Sequence, residues 1–129
     1  MSIRSLCTIS VAVFFFGILS AQNMDKENDS VLRHVVLFQF SEDASDSDIK
    51  KVEEAFSDLP AKIDAIKDYE WGTNNSPEGL NDGLTHCFLV TFASEEDREI
   101  YLPHPAHLAF VEVLKPHLKK VTVLDYWSK

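Results

Sequence analysis

Five residues stand out as candidates for proton chemistry by their type and spacing. Tyr101, His104 and His107 recur at spacings of three in the string YLPHPAH. A helical residue advances about 100°, so on a continuous helix the three would fan over about 120°. Pro103 and Pro105 interrupt that helix, which makes the fan approximate. Two more histidines open apolar strands, His34 in RHVVLFQF and His86 in THCFLVTF. Alternation puts His34 on one face with Val36 and Phe38, and His86 on one face with Phe88 and Val90. Imidazole titrates near neutral pH and can take a proton next to a carbonyl, while a phenol donates a hydrogen bond to the oxygen that becomes negative. Two other readings stay open at this point. A histidine can be buried and hydrogen-bonded for packing alone, and HPAH has the H-x-x-H spacing of some zinc ligand pairs. No Cys joins the histidines, and the acidic residues lie mainly on helix starts and loops, so no metal is expected. His117, near a helix end, is expected to face solvent.

The elements that must position these residues read off the apolar periodicity. Arg33 to Phe40 is a first strand, apolar on both faces. Ser41 to Asp48 is a helix-start signal, and Ile49, Val52, Phe56 and Leu59 follow at helical spacing in a helix that ends by Pro60. Ile66 to Trp71 is a second strand, Gly72 to Gly83 a loop, and Thr85 to Phe92 a third strand. Ser94 with Asp97 resembles a capping box and opens a second helical region through Tyr101. Pro105 suits the first position of a further helix that runs to about Leu114, with His104 flanking it. Lys120 to Trp127 is the last strand. The order β-α-β-β-α-β predicts an α+β, ferredoxin-like protomer.

Composition bounds the function. The chain has 129 residues, 45% hydrophobic, with a formal net charge of −9. That supports one small globular domain and argues against a nucleic-acid or anionic-membrane partner, since phosphate binding runs on Lys and Arg. The start is different material: Arg4, then the apolar run Leu6 to Leu19, then Ser20-Ala21-Gln22 and a polar stretch. This is the layout of a secretory signal peptide. We therefore expect a signal peptide over 1–21 cleaved near Ala21, a polar linker over 22–30, a domain over 31–129, and an exported protein, periplasmic or secreted, with no membrane contact after cleavage. Cleavage would remove Cys7 and leave Cys87 alone on an apolar strand, where it is expected to be a buried small hydrophobe.

Two helices cover only one face of a four-stranded sheet, yet strands one and three are apolar on both. Leaving Val36, Phe38, Phe88, Val90 and Phe92 open would expose a patch larger than most monomers carry. A second copy packed sheet to sheet is the expected cover, making a homodimer with a cavity beside the sheet.

HVVLF at 34–38, GTN at 72–74 with SPEGLN at 76–81, THCFLVTF at 85–92 and SEEDREIYLPHPAHLAFV at 94–111 together resemble the stress-responsive A/B barrel domain family. The resemblance spans Val31 to about Trp127 and implies a dimeric α+β barrel of two ferredoxin-like protomers. Most members have no assigned activity; with the signal layout and the expected cavity, the first reading is an exported barrel domain with a small hydrophobic pocket and no assigned activity. One branch, similar to olivetolic acid cyclase, closes a polyketide ring without a cofactor. That likeness implies Tyr101 and His107 as the acid and base pair. It also implies His34 and His86 in the same pocket; strand alternation adds Val36, Phe38 and Phe88 as candidate lining, Phe88 narrowing the cavity, and His104 is a further candidate binding residue. No cofactor is implied. The alternative function is thus a cofactor-free cyclase or lyase acting on a small hydrophobic carbonyl compound.

Overall fold

The computed structural model describes residues 29–129. The apolar run and the expected cleavage near Ala21 lie outside the described residues. Strand β1 spans Leu32–Phe40, helix α1 Asp46–Ser57, α2 Leu59–Lys62, β2 Asp68–Thr73, β3 His86–Phe92, α3 Glu95–Tyr101, α4 Pro105–Leu114 and β4 Leu118–Trp127. A single 3-10 turn at Lys115–His117 leads into β4. The strands bond in the order β2-β3-β1-β4, every neighbouring pair antiparallel. This is the α+β, ferredoxin-like plan expected from the periodicity, with each helical region divided in two.

The local chemistry accounts for these boundaries. Ser45 caps α1: its Oγ accepts from the Asp48 N–H at 3.1 Å, and the Asp48 carboxylate accepts from the Ser45 N–H at 3.1 Å. Such a reciprocal cap is worth about 1 kcal/mol. Helix α1 ends at Ser57, before Pro60 as expected, and Pro60 itself lies in the first turn of a separate short helix, α2. A proline lacks only an N–H that a first turn leaves unpaired. Strand β2 starts at Asp68 rather than Ile66, because the Ile66 N–H is tied back to the Ile63 carbonyl in the turn that leaves α2. Strand β4 starts at Leu118 rather than Lys120, carried past a register shift opposite Gln39 and Phe40. His117 is half-buried, with Nδ1 3.9 Å from the Asp48 carboxylate, rather than simply facing solvent.

The core lies between the helices and one face of the sheet. Phe38, Phe56, Phe88, Val90, Phe92, Val52 and Leu32 are each at most 2% exposed there. Phe56 of α1 stacks on Phe88 of β3 with ring centroids 4.4 Å apart and an interplanar angle of 4°. Each such ring contributes about 1.5–3 kcal/mol by leaving water.

This placement corrects the expected open face. Val36, Phe38, Phe88, Val90 and Phe92 lie under the helices. The face without helices carries the opposite parity: Val35, Leu37, Cys87 and Leu89, with Leu124 and Tyr126 paired across from β1. Strands apolar on both faces give no parity signal of their own, so alternation could not choose between them. Cys87 goes with that face and is exposed, not buried as expected. Partial burial pushes its thiol above the ordinary range, and the Glu70 charge adds to the effect. Among the described residues no helix is long and apolar enough to cross a membrane.

Candidate active site

The helices lie over β3 and β1 and leave the inner side of edge strand β4 uncovered, where Val121 and Val123 are 47% and 52% exposed. A cavity of about 760 Å³ opens between that strand and α3 and α4. Its apolar wall comes from Val36, Phe38, Phe56, Phe110, Leu114 and the two β4 valines. Its polar members are His34, Tyr101, His107, Arg98, Glu99, Lys115 and Asp125. A volume of this size is ordinary for a small-molecule site.

Tyr101 is the last residue of α3, and it is 1% exposed. The chain then turns, with the His104 N–H bonding to the Tyr101 carbonyl at 3.1 Å. It restarts as α4 at Pro105, with His104 as N-cap. That turn brings His107 back against Tyr101, with ring centroids 4.4 Å apart. His107 Nδ1 lies 2.8 Å from the Leu102 carbonyl, which can only accept, so Nδ1 carries the proton. In the neutral ring Nε2 is then an unprotonated base. Burial pushes His107 below the ordinary histidine range; the Leu102 carbonyl opposes the shift, while His34 and His104 add to it. Burial likewise holds the Tyr101 phenol protonated far above its ordinary range, with Tyr69 adding a smaller push. The pair is a neutral base beside a neutral donor, in a mostly apolar space.

His34 reaches the same cavity from β1. Its cross-strand partner on β4 is Asp125, and such partners share a face with Cβ atoms about 5 Å apart. His34 Nδ1 donates to Asp125 Oδ1 at 2.7 Å, and the other carboxylate oxygen accepts from Arg98 Nη1 at 2.8 Å. The His34 ring meets Tyr101 edge to face at 5.8 Å.

The structure therefore brings together Tyr101, His107, His34, Val36 and Phe38. His86, His104 and Phe88 are placed elsewhere. His86 shares the inner face with His34, but it pairs with Phe38, four residues along β1 and so about 13 Å away. There Nε2 lies 2.9 Å from Glu53 Oε1 and Nδ1 2.8 Å from Thr85 Oγ1, with Trp71 stacked alongside. His104 Nδ1 accepts from the Ala106 N–H at 3.0 Å and closes the first turn of α4. Phe88 does not narrow the cavity; it lies behind Phe38 and Phe56 in the aromatic core. Among the described residues no three His, Cys, Asp or Glu side chains come close enough to hold a metal ion.

Arg98 and Asp125 were not singled out in the sequence. The signal for Asp125 was there, because it shares parity with Val121 and Val123 in KVTVLDYW, a lone carboxylate on an apolar stripe. Arg98 stands three residues before Tyr101, hence on the same side of α3.

A ferredoxin-like protomer with a partly polar cavity between its helices and edge strand defines a structural class, and comparison with known proteins narrows it. The chain belongs to the stress responsive A/B barrel domain family, whose model matches residues 32–128. It is 35% identical over 101 residues to a stress-response A/B barrel domain-containing protein of Arabidopsis thaliana, covering 78% of this chain and 93% of that protein. It is 28% identical over 95 residues to olivetolic acid cyclase of Cannabis sativa, covering 74% and 94%. Among solved structures, hydroxynitrile lyase from Passiflora edulis is similar at 28% identity and a TM-score of 0.72, covering 77% of this chain and 94% of the lyase. A dimeric protein of ferredoxin-like fold from Bacteroides fragilis is similar at 27% identity and a TM-score of 0.61, covering 74% and 94%.

Proposed function

We propose that this protein is a cofactor-free acid–base catalyst of the cyclase or lyase kind, making or breaking a carbon–carbon bond next to the carbonyl of a small apolar compound. The observation that carries the reading is the Tyr101 and His107 pair, 4.4 Å apart in a cavity of about 760 Å³, with His107 Nδ1 tied to the Leu102 carbonyl. In the bond-forming direction His107 Nε2 takes a proton from the carbon beside the carbonyl, and the Tyr101 O–H donates to the oxygen as negative charge gathers there. The enolate then adds to a second carbonyl, and the alkoxide so formed takes the proton back from His107. In the reverse direction His107 takes the hydroxyl proton of a β-hydroxy carbonyl compound, the carbon–carbon bond breaks, and the enolate, stabilised by Tyr101, takes that proton from His107 on carbon. That two similar proteins are a cyclase and a lyase supports chemistry of this class.

The test is retro-aldol cleavage of 4-hydroxy-4-phenyl-2-butanone to benzaldehyde and acetone, followed by the absorbance of benzaldehyde. Cleavage above the buffer rate that is lost in His107→Ala supports the reading. A rate equal to buffer for this compound and for a panel of apolar β-hydroxy ketones would overturn it.

Two further parts of the reading concern assembly and location. The protein forms a homodimer through the face that carries Val35, Leu37, Leu89 and Leu124; the dimeric state of the similar Bacteroides protein supports this. It is exported after cleavage near Ala21, on the strength of the apolar run from Leu6 to Leu19. Intact mass of protein from its own host checks this, and a mass that retains Met1 to Leu19 contradicts it.

A further inference from the structure

Arg98 lines the cavity without any part in the acid–base scheme. It sits three residues before Tyr101 in α3, so both side chains leave the same side of that helix. From there it spans to edge strand β4, where Nη1 donates to Asp125 Oδ2 at 2.8 Å. The other oxygen of the same carboxylate accepts from His34 at 2.7 Å. Arg98 and Asp125 side chains are each 24% exposed, so water screens the pair only in part.

We propose that Arg98 is a positioning residue for this cavity: by holding Asp125 it keeps His34 turned with Nε2 toward the ligand, and it cancels the carboxylate's charge so that the site prefers neutral ligands. The physical case starts from Asp125 alone. A bare carboxylate in a largely apolar wall draws a second proton onto its histidine partner and attracts cationic ligands. A guanidinium on the second oxygen offsets both effects and fixes the carboxylate plane. The other charged or titratable groups on this cavity do not supply that offset. Lys115 donates to Glu112 at 2.7 Å, Glu99 adds negative charge, and Tyr101 and His107 are neutral as described above. Three elements thus converge on one imidazole: β1 carries it, β4 holds its Nδ1, and α3 locks the holder.

The ligand part of this inference rests on the carbonyl reading above; the Arg98, Asp125 and His34 geometry does not. Two readouts on the full protein separate them. Imidazole nitrogen–proton correlation spectra should show wild-type His34 as the Nδ1–H tautomer. Arg98→Met should move that signature toward a protonated Nε2, and Arg98→Lys, which keeps the charge, should restore it. Competition binding should show that the wild type prefers acetophenone to 1-phenylethylammonium, which has the same skeleton and a positive charge. Arg98→Met should shift that ratio toward the amine by about tenfold, and Arg98→Lys should not. An unchanged His34 spectrum, or an unchanged binding ratio, in a folded Arg98→Met protein would overturn the proposal. If the spectra respond as expected and the wild type binds neither probe, the Arg98 assignment stands and the carbonyl reading falls.

Discussion

In the proposed chemistry Tyr101 and His107 divide the proton work through their surroundings rather than their residue types alone. Burial favours the neutral form of each, so the imidazole stays a base and the phenol stays a donor. Tyr101→Phe or His107→Ala should lower turnover by about 10²–10⁴-fold, the usual share of one general acid or base. Circular dichroism should show the fold kept in both. The proposed activity needs neutral His107, whose ordinary value is 6.5 and whose shift is downward. The rate should therefore hold steady as pH falls to about that value and drop only below it, as a pH–rate profile will show. Tyr101 also leaves a stability signature. The unfolded chain loses the phenol proton near its ordinary value of 10.0, whereas the folded state keeps it. Above that pH the folded state binds more protons, so stability falls as pH rises. Denaturant midpoints should show a shallower loss in Tyr101→Phe, with Tyr69 and Cys87, both also shifted upward, contributing to the remainder. The histidines and the tyrosine were legible in the sequence because their types are rare and their spacing regular. Asp125 was marked only by its place on the apolar stripe of β4 and Arg98 not at all, because one acid and one base among 21 and 12 carry no mark of which carboxylate meets which histidine. That pairing is set by strand register.

Among the elements, the turn between α3 and α4 decides whether a site exists. Leu102 ends α3, its N–H bonding to the Arg98 carbonyl, and His104 caps α4 three residues before His107. His104 thus positions His107 against Tyr101 through the helix start. His104→Leu should cost about 1 kcal/mol in chemical denaturation, because the Ala106 N–H loses its acceptor, while His104→Asn should restore most of that loss. Element existence and order were readable from periodicity and capping residues such as Ser45 and Ser94. Which sheet face meets the helices was not, because β1 and β3 carry large apolar residues at both parities. His86 shows the consequence. Parity put it on the same face as His34, which is correct, but only the β1 and β3 pairing shows that the two lie at different ends of the strands.

At the scale of the whole molecule, the open sheet face and the cavity are on opposite sides of one sheet, so a dimer through the first leaves the second free. Leu124 is 63% exposed on that face. Leu124→Lys should convert the dimer to a folded monomer in light scattering, since an unpaired charge at such a contact costs several kcal/mol; a wild-type monomer would contradict the dimer. The proposed transfer of a proton by Tyr101 and His107 next to a carbonyl can be tested without knowing the natural substrate. Its most direct test is exchange of the methyl protons of acetophenone in heavy water, followed by proton NMR. Exchange above the buffer rate in the wild type, abolished in the Tyr101→Phe/His107→Ala double variant, is the predicted result. Exchange that persists in the folded double variant, or that never exceeds buffer for acetophenone and other apolar ketones shown to bind, would contradict it.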